Sequence, residues 1–408
     1  MNANPDIAII GGGLVGLSAA LALQKPGRHI SVIESASLEQ KESTGLNTRS
    51  IALSYASVQI FRALGLWQQI KTLAAPIKTI HISSQGEWGV TRLRAPDYEL
   101  DALGYVVESQ VLGNLLLDKI RESKTISLNT RSDFESAEFS DSDKVNLSYR
   151  SGGKLHQLNA GLVLVADGAQ SKARSSLGIE HRDIDYAQAA IIANVEVSKP
   201  GSGIAYERFT KNGPLAMLPL GGKRYACVWT HDPDISSELT QQDDEQFIAS
   251  LQHSFGYRLG FIEKVSPRFS FPLHRTEAQG LVKKRCLLLG NAANTLHPVA
   301  GQGLNLALRD VASLSELFSK QKILCLDESS VSRLLDAYET ERVAEQRQVA
   351  RLGDGMVTLF SNDLVVLKKL RAGALALLDI VPPLKAEVAM SGMGFRYAGN
   401  RLLRGRLS

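Results

Sequence analysis

The stretch Ile7-Ala8-Ile9-Ile10-Gly11-Gly12-Gly13-Leu14-Val15-Gly16 decides the fold. Four apolar residues read as a buried strand, and the glycines that follow read as a tight turn. Leu14 to Leu23 then reads as a helix and His29 to Glu34 as a second strand. Together they make a βαβ unit of about 30 residues with a right-handed crossover. The glycines match G-x-G-x-x-G, which is weak alone and informative between a strand and a helix. Gly11 permits the turn, Gly13 lets a pyrophosphate approach the backbone, and Gly16 allows the helix to pack closely on the strand. The helix N-terminus offers amides and partial positive charge to phosphate. Glu34, ending the second strand, can accept ribose hydroxyls. A glycine-rich turn without a ligand is the bland alternative, and the strand–helix–strand context speaks against it.

Two later stretches repeat the device of an apolar strand running into a turn of small residues. The first is Ala166-Asp167-Gly168-Ala169-Gln170-Ser171-Lys172-Ala173-Arg174. The second runs from Gly290-Asn291-Ala292-Ala293-Asn294 through Thr295-Leu296-His297-Pro298 to Gly301-Gln302-Gly303-Leu304-Asn305. In the second, Gly301 and Gly303 let backbone approach a flat ligand at a helix N-terminus.

These stretches resemble the DG and GD fingerprints of the class A flavoprotein aromatic hydroxylases, of the para-hydroxybenzoate hydroxylase type. With the first turn they cover Ile7 to about Arg309. Within that class, Arg49-Ser50-Ile51-Ala52-Leu53, Leu103 to Glu108, Glu207-Arg208-Phe209-Thr210 and Gly213 to Pro219 resemble the ubiquinone-biosynthesis hydroxylases. The variant Gly290-Asn291-Ala292-Ala293 with Thr295-Leu296-His297-Pro298 most resembles the branch acting on 2-polyprenyl-6-methoxyphenols. The resemblance implies that Gly11, Gly13, Gly16, Glu34, Arg49, Gln110, Asp167, Gly290, Asn291, Gly301, Gly303, Leu304 and Asn305 bind FAD. It implies transient reduction by NAD(P)H, O2 as co-substrate, and ring hydroxylation. His297 and Pro298 are the catalytic candidates on the flavin loop; a histidine simply packed beside proline is the competing reading. Asn291 stands where the family usually has Asp, so no argument from an anion applies there. The run Glu108-Ser109-Gln110 lacks an arginine that many relatives carry.

The fold expected is α/β: a Rossmann-like FAD-binding domain with an inserted, mostly antiparallel β-sheet substrate domain and a helical C-terminus. The boundaries expected are 1–178 for the first part of the FAD-binding domain, with a hairpin insertion near 75–105. The substrate domain follows at 179–280, the second FAD-binding part at 281–360, and a helical basic region at 361–408. Alternating Leu215, Met217 and Pro219, with Tyr206, are the expected substrate pocket; ordinary core is the competing reading.

The 408 residues are 44% hydrophobic and 22% charged, ordinary for a globular chain, and the formal net charge is +4. Nucleic-acid binding is not indicated. Lys368 to Ser408 holds eight basic and two acidic residues, so this tail carries +6 and the remainder −2. With Leu402, Leu403 and Leu407 among Arg401, Arg404 and Arg406, it is a candidate contact for anionic lipid at the inner membrane. A solvated tail or a contact in an oligomer or biosynthetic complex competes with that reading. Cys227, Cys286 and Cys325 form no CxxC, so no metal site is expected and a reducing, cytoplasmic setting fits. The rivals kept open are another FAD-dependent oxidoreductase, such as a prenyl reductase, and a non-catalytic prenyl-binding protein. The isolated Trp67, Trp88 and Trp229 speak against a tryptophan halogenase.

Overall fold

The computed structural model describes residues 4–38, 49–139, 144–296, 301–321, 323, 325–360, 373, 377–394 and 401–406, without side chains at 352–354 and 356–360. Two sheets organise them. The first has six strands: β1 (Ile7–Ile10), β2 (Ile30–Ile33), β8 (Ile126–Asn129), β12 (Leu162–Val165), β19 (Val282–Lys283) and β20 (Cys286–Leu288). Their order is β19-β20-β12-β1-β2-β8. All pairs are parallel except β19 with β20. Every residue of β1, β2, β12 and β20 is buried, as expected for a parallel sheet covered on both faces. Helix α1 (Leu14–Leu23) is buried from Gly16 onward, because it is wedged between the sheet and two other helices, α4 (Ser109–Arg121) and α8 (Gln302–Lys320). Helices α2 (Tyr55–Ala63) and α3 (Trp67–Leu73) extend this layer, and α5 (Lys172–Ser176) follows β12.

The second sheet has eight strands. The main path is β17 (Ile262–Val265), β13 (His181–Val197), β16 (Arg224–His231), β15 (Gly213–Gly221), β14 (Ile204–Thr210), β5 (Thr79–Ser84) and β6 (Val90–Arg94), with β18 (Phe269–Ala278) also on β13. The hairpin expected near 75–105 is β5–β6. It joins this sheet through a parallel pairing of β5 with β14; all other pairs are antiparallel. The outer face lies under α6 (Pro233–Gln241) and α7 (Asp244–Phe255). Tyr206, Leu215, Met217, Tyr225, Trp229, Phe247, Leu251 and Phe255 close the core there. The inner face packs on a three-stranded sheet of β3 (Ser50–Ser54), β7 (Gly104–Glu108) and β4 (Ala75–Ile77), through Ile77, Val106, Ala205 and Leu218. A meander of β9 (Ser132–Phe139), β10 (Val145–Ser151) and β11 (Lys154–Ala160), not anticipated from the sequence, buries Val145, Leu147 and Tyr149 in the core of the first sheet.

Helix α9 (Glu328–Phe360) is tied to α8 by buried charges. Arg309 Nε donates to Glu345 Oε1 at 2.6 Å, and Arg342 Nε donates to Asp310 Oδ1 at 2.7 Å. Arg342 also bridges to Glu345, and the Gln346 amide donates to Asp310. Two cations meet two anions, so no buried charge stands alone. Helix α10 (Pro382–Met393) sets Ala389 and Met393 against Leu93, Ala95 and Leu103.

The tail corrects one expectation. Leu402 and Leu403 are not available to a lipid surface: they are buried in the core of the FAD-binding side, and the Arg401 amide donates to Glu316. Leu407 lies outside the described residues.

Candidate active site

Because β1, β12 and β20 are neighbours and parallel, their carboxyl ends place three separate turns together. Gly11 N–H donates to Ile33 O, Ala166 N–H to Ile10 O, and Leu289 N–H to Val165 O, at 2.7–2.8 Å. Gly11 has φ +105°, and a Cβ there would collide with the Ala166 carbonyl. A Cβ on Gly16 would strike the carbonyl oxygen of Gly11. Those two glycines are obligatory for packing. Gly13 differs: a Cβ on it would meet nothing within 4 Å. It is the N-cap of α1 and has no side-chain cap, so the first amides of the helix face an open cradle. The donor set and the space fit a pyrophosphate.

Glu34 Oε2 accepts from Gly12 N–H at 2.5 Å and Oε1 from Ala36 N–H at 2.7 Å. These bonds fix the carboxylate at the strand end and leave lone pairs for ribose hydroxyls. Asp167 Oδ2 accepts from Ala173 N–H at 3.1 Å, while Oδ1 is buried with no partner among the described residues. Gly290, at φ +60°, abuts Val15, and Asn291 is exposed beside it. Arg174, 3% exposed, donates to the Ala292 carbonyl at 2.9 Å and so clamps the second small-residue turn to the third.

The third part is the loop before α8. Gly301 is left-handed at φ +59° and caps α8 without a side chain; Gly303 and Leu304 are half-buried in its first turn. Asn305 is 2% exposed. Its Oδ1 accepts from Ser54 N–H at 2.8 Å and from the Ser57 hydroxyl at 2.7 Å. Its Nδ2 donates to the carbonyls of Ala52 and Gly301 at 2.9 and 2.8 Å. The side-chain amide is thus saturated by protein and staples the loop to β3, which leaves the backbone of Asn305 as its means of contact with a flavin. Arg49 lies just before β3, exposed, with its guanidinium 4.3 Å from the Phe271 ring centroid on the second sheet. Gln110 is half-buried in the first turn of α4. His297 and Pro298 lie outside the described residues.

The second sheet corrects the expected pocket. Tyr206, Leu215 and Met217 point to the α6–α7 side, where the Tyr206 ring meets Phe255 edge-on at 5.3 Å. Pro219 alternates with Leu215 and Met217 and is buried with them. Large apolar side chains belong to that core, because the helices supply matching ones. The inner face carries smaller residues in one cross-strand row: Ile82, Glu207, Ala216, Val228, Ile192 and Phe269 are successive partners. Ile82, Ala216, Val228 and Ile192 are half-buried and Phe269 is 54% exposed. This row shares its face with Leu218, which packs with Ala52; a Cβ on Gly301 would lie 3.4 Å from Ala52. An apolar platform thus faces the side that carries the Gly301 loop.

Sequence reasoning missed Glu207 as a site residue. Its Oε1 is buried without a partner among the described residues, and desolvation pushes the carboxyl up to about 7. The available signal was an acid in step with Ala205 and Phe209, at a strand position whose cross-strand neighbours are apolar.

A family model described as an FAD binding domain matches residues 4–352. Ubiquinone hydroxylase UbiL of Rhodospirillum rubrum is 33% identical, over 98% of this chain and 92% of its own length. The 3-demethoxyubiquinol 3-hydroxylase of Escherichia coli is 30% identical, over 96% of this chain and 99% of its own. Among solved structures, p-nitrophenol 4-monooxygenase PnpA from Pseudomonas putida aligns with a TM-score of 0.79 at 16% identity, covering 97% of this chain and 99% of that one. That likeness speaks for the fold.

Proposed function

We propose, from the premise that this chain belongs to the FAD-binding domain family and within it to the FAD-dependent hydroxylases of ubiquinone biosynthesis, that it hydroxylates the aromatic ring of a polyprenylated phenol. NAD(P)H and O2 are its co-substrates, and a 2-polyprenyl-6-methoxyphenol is the first substrate to try. The observation that carries this reading is the half-exposed apolar row across the inner face of the second sheet, on the side of the Gly301 loop.

FAD, when bound, would supply the redox chemistry that couples NAD(P)H and O2 to the entry of one oxygen atom into the ring, the other leaving as water. The chain's own residues do the rest. The open cradle at Gly13 and the first amides of α1 hold the pyrophosphate, and Glu34 takes the ribose. Asn305 keeps the Gly301 loop in one geometry, so the ring-facing backbone is set before the substrate arrives. The apolar row offers a half-exposed surface that an aromatic ring and its prenyl chain would cover, and the water they exclude would otherwise promote wasteful turnover of the reduced cofactor. A prenylated phenol is almost insoluble, so delivery from a membrane surface or a carrier belongs to the proposal. No helix among the described residues is long and apolar enough to cross a membrane.

The test is oxygen uptake by the purified yellow protein with NADPH or NADH, with and without 2-geranyl-6-methoxyphenol, followed by mass analysis. Phenol-dependent uptake with a product heavier by one oxygen is the expected result. A yellow protein that reduces a prenyl double bond without consuming oxygen would replace this reading with a reductase.

A further inference from the structure

Strand β14 presents two different faces. Tyr206 and Arg208 turn to the helices, where the Arg208 Nε donates to Ser254 O at 2.9 Å. Glu207 turns to the inner face, in register with Ile82 on one side and Ala216 on the other. The other members of its row from Ile82 to Phe269 are apolar, and Thr91 follows Ile82 at the end of the row. A carboxylate among such neighbours is costly unless something donates to it. The described residues offer its Oε1 no donor, and no ion pair involving it is found among them. A partner is therefore missing on the side that receives the substrate, and a ring hydroxyl is a donor of the right chemistry.

We propose that Glu207 is a catalytic residue of the hydroxylation, accepting the hydrogen bond of the substrate's ring hydroxyl and taking its proton as the new ring C–O bond forms. The inference rests on the reading above that the substrate is a phenol. The balance is complete. The ring bonds to one oxygen atom of O2, whose other atom leaves as water, and NAD(P)H supplies the two electrons. Glu207 holds the hydroxyl proton while the ring is a dienone and returns it to that oxygen when the ring C–H proton departs to solvent. Losing the O–H proton raises electron density at the ortho and para carbons, where oxygen must add.

The surroundings suit that task. Desolvation alone sets the carboxyl near 7, so proton transfer at neutral pH is far better matched than with an ordinary carboxylate. On the inner face, Thr91, Ala216, Val228, Ile192 and Phe269 do not titrate. The charged groups described on that side are Arg49, over Phe271, and further along β18 Arg275, which alternates with Phe271 and is paired with Glu277. Helix α9 packs on β15, and the last charged residue with a described side chain there, Arg351, is exposed. His81, Arg208 and His231 project from the opposite face.

The test uses the FAD-loaded protein and the isosteric Glu207→Gln. The variant should fold, hold FAD, and bind 2-geranyl-6-methoxyphenol within about threefold of wild type. Its kcat should fall by about 100-fold or more, the usual size of a general base. A second readout is binding, followed by flavin fluorescence, of the phenol and of its O-methyl ether from pH 6 to 8.5. In wild type the preference for the phenol should grow as pH rises through about 7, because the ether leaves the buried Oε1 of the carboxylate unpaired. In Glu207→Gln that preference should not change with pH. Wild-type kcat in the variant, or a pH-independent preference in wild type, overturns the role of Glu207 and leaves the phenol reading standing. A wild-type holoprotein that neither binds nor hydroxylates the phenol overturns both.

Discussion

At the carboxyl ends of β1, β12 and β20, chemistry is carried by backbone. Glycines admit the ligand, and helix amides face it, so the residue types are dictated one position at a time. On the inner face of the second sheet, chemistry is carried by side-chain direction. Ala216 and Met217 are adjacent in sequence, yet one faces the inner side in the apolar row and the other the helix core. A one-residue shift in register would exchange their duties. The first region tolerates no ordinary side chain at its tight positions. The second tolerates almost any apolar residue that keeps its face.

The largest effect that could break this contrast is at Gly16. Gly16→Val must displace the Gly11 carbonyl, and a loss of folding stability of roughly 4 kcal/mol or more is expected. The Cβ of Gly13→Val meets nothing within 4 Å, so the variant should unfold at nearly the temperature of wild-type apoprotein yet purify colourless. A yellow Gly13→Val protein would remove the cradle argument.

Next comes the pair on β15. Met217→Ala should cost about 2–5 kcal/mol by urea denaturation with KM for the phenol unchanged, because it opens a cavity under α7. Ala216→Phe should leave stability within about 1 kcal/mol and lower kcat/KM at least tenfold. The reverse pattern would turn the sheet over.

A smaller effect follows pH. His231 is 2% exposed beside Trp229, its ring nitrogens lack partners among the described residues, and burial lowers its pKa to about 4. The folded value lies below the unfolded value of about 6.5. This contribution is thus fully present above 6.5 and lost as pH falls toward 4. Between pH 7 and 4.5 the unfolding free energy from urea denaturation should drop by on the order of 2–3 kcal/mol, and His231→Phe should flatten that slope.

The smallest effect lies between the regions. Arg49→Met removes a cation–π contact with Phe271 and should cost about 0.5–1 kcal/mol in thermal unfolding of the apoprotein.

The FAD-binding half was legible because each of its turns announces itself within ten residues, as Gly11 to Gly16 does. Asn305 was half-legible: its position was marked, but its saturation by Ser54, Ser57, Ala52 and Gly301 is a three-dimensional fact. The pocket was misjudged because alternation along Leu215, Met217 and Pro219 separates two faces without saying which is covered. That depended on α7, whose Phe247, Leu251 and Phe255 fill the outer side. The polar first half of β13, His181 to Asp185, was invisible for the opposite reason: it pairs with β18 by backbone and exposes most of its side chains.

The strand order also has a timetable. β12 sits between β1, which precedes it by about 150 residues, and β20, which follows it by about 120. On a ribosome adding about 5–20 residues each second, β12 exists for roughly 6–25 s before β20 has been made. Throughout that interval Leu162-Val163-Leu164-Val165 is a bare apolar edge of the kind that recruits other chains. The long insert that builds the second sheet is therefore also a delay. A nascent chain stalled between residues 170 and 285 should be the species most prone to aggregate and most dependent on chaperones.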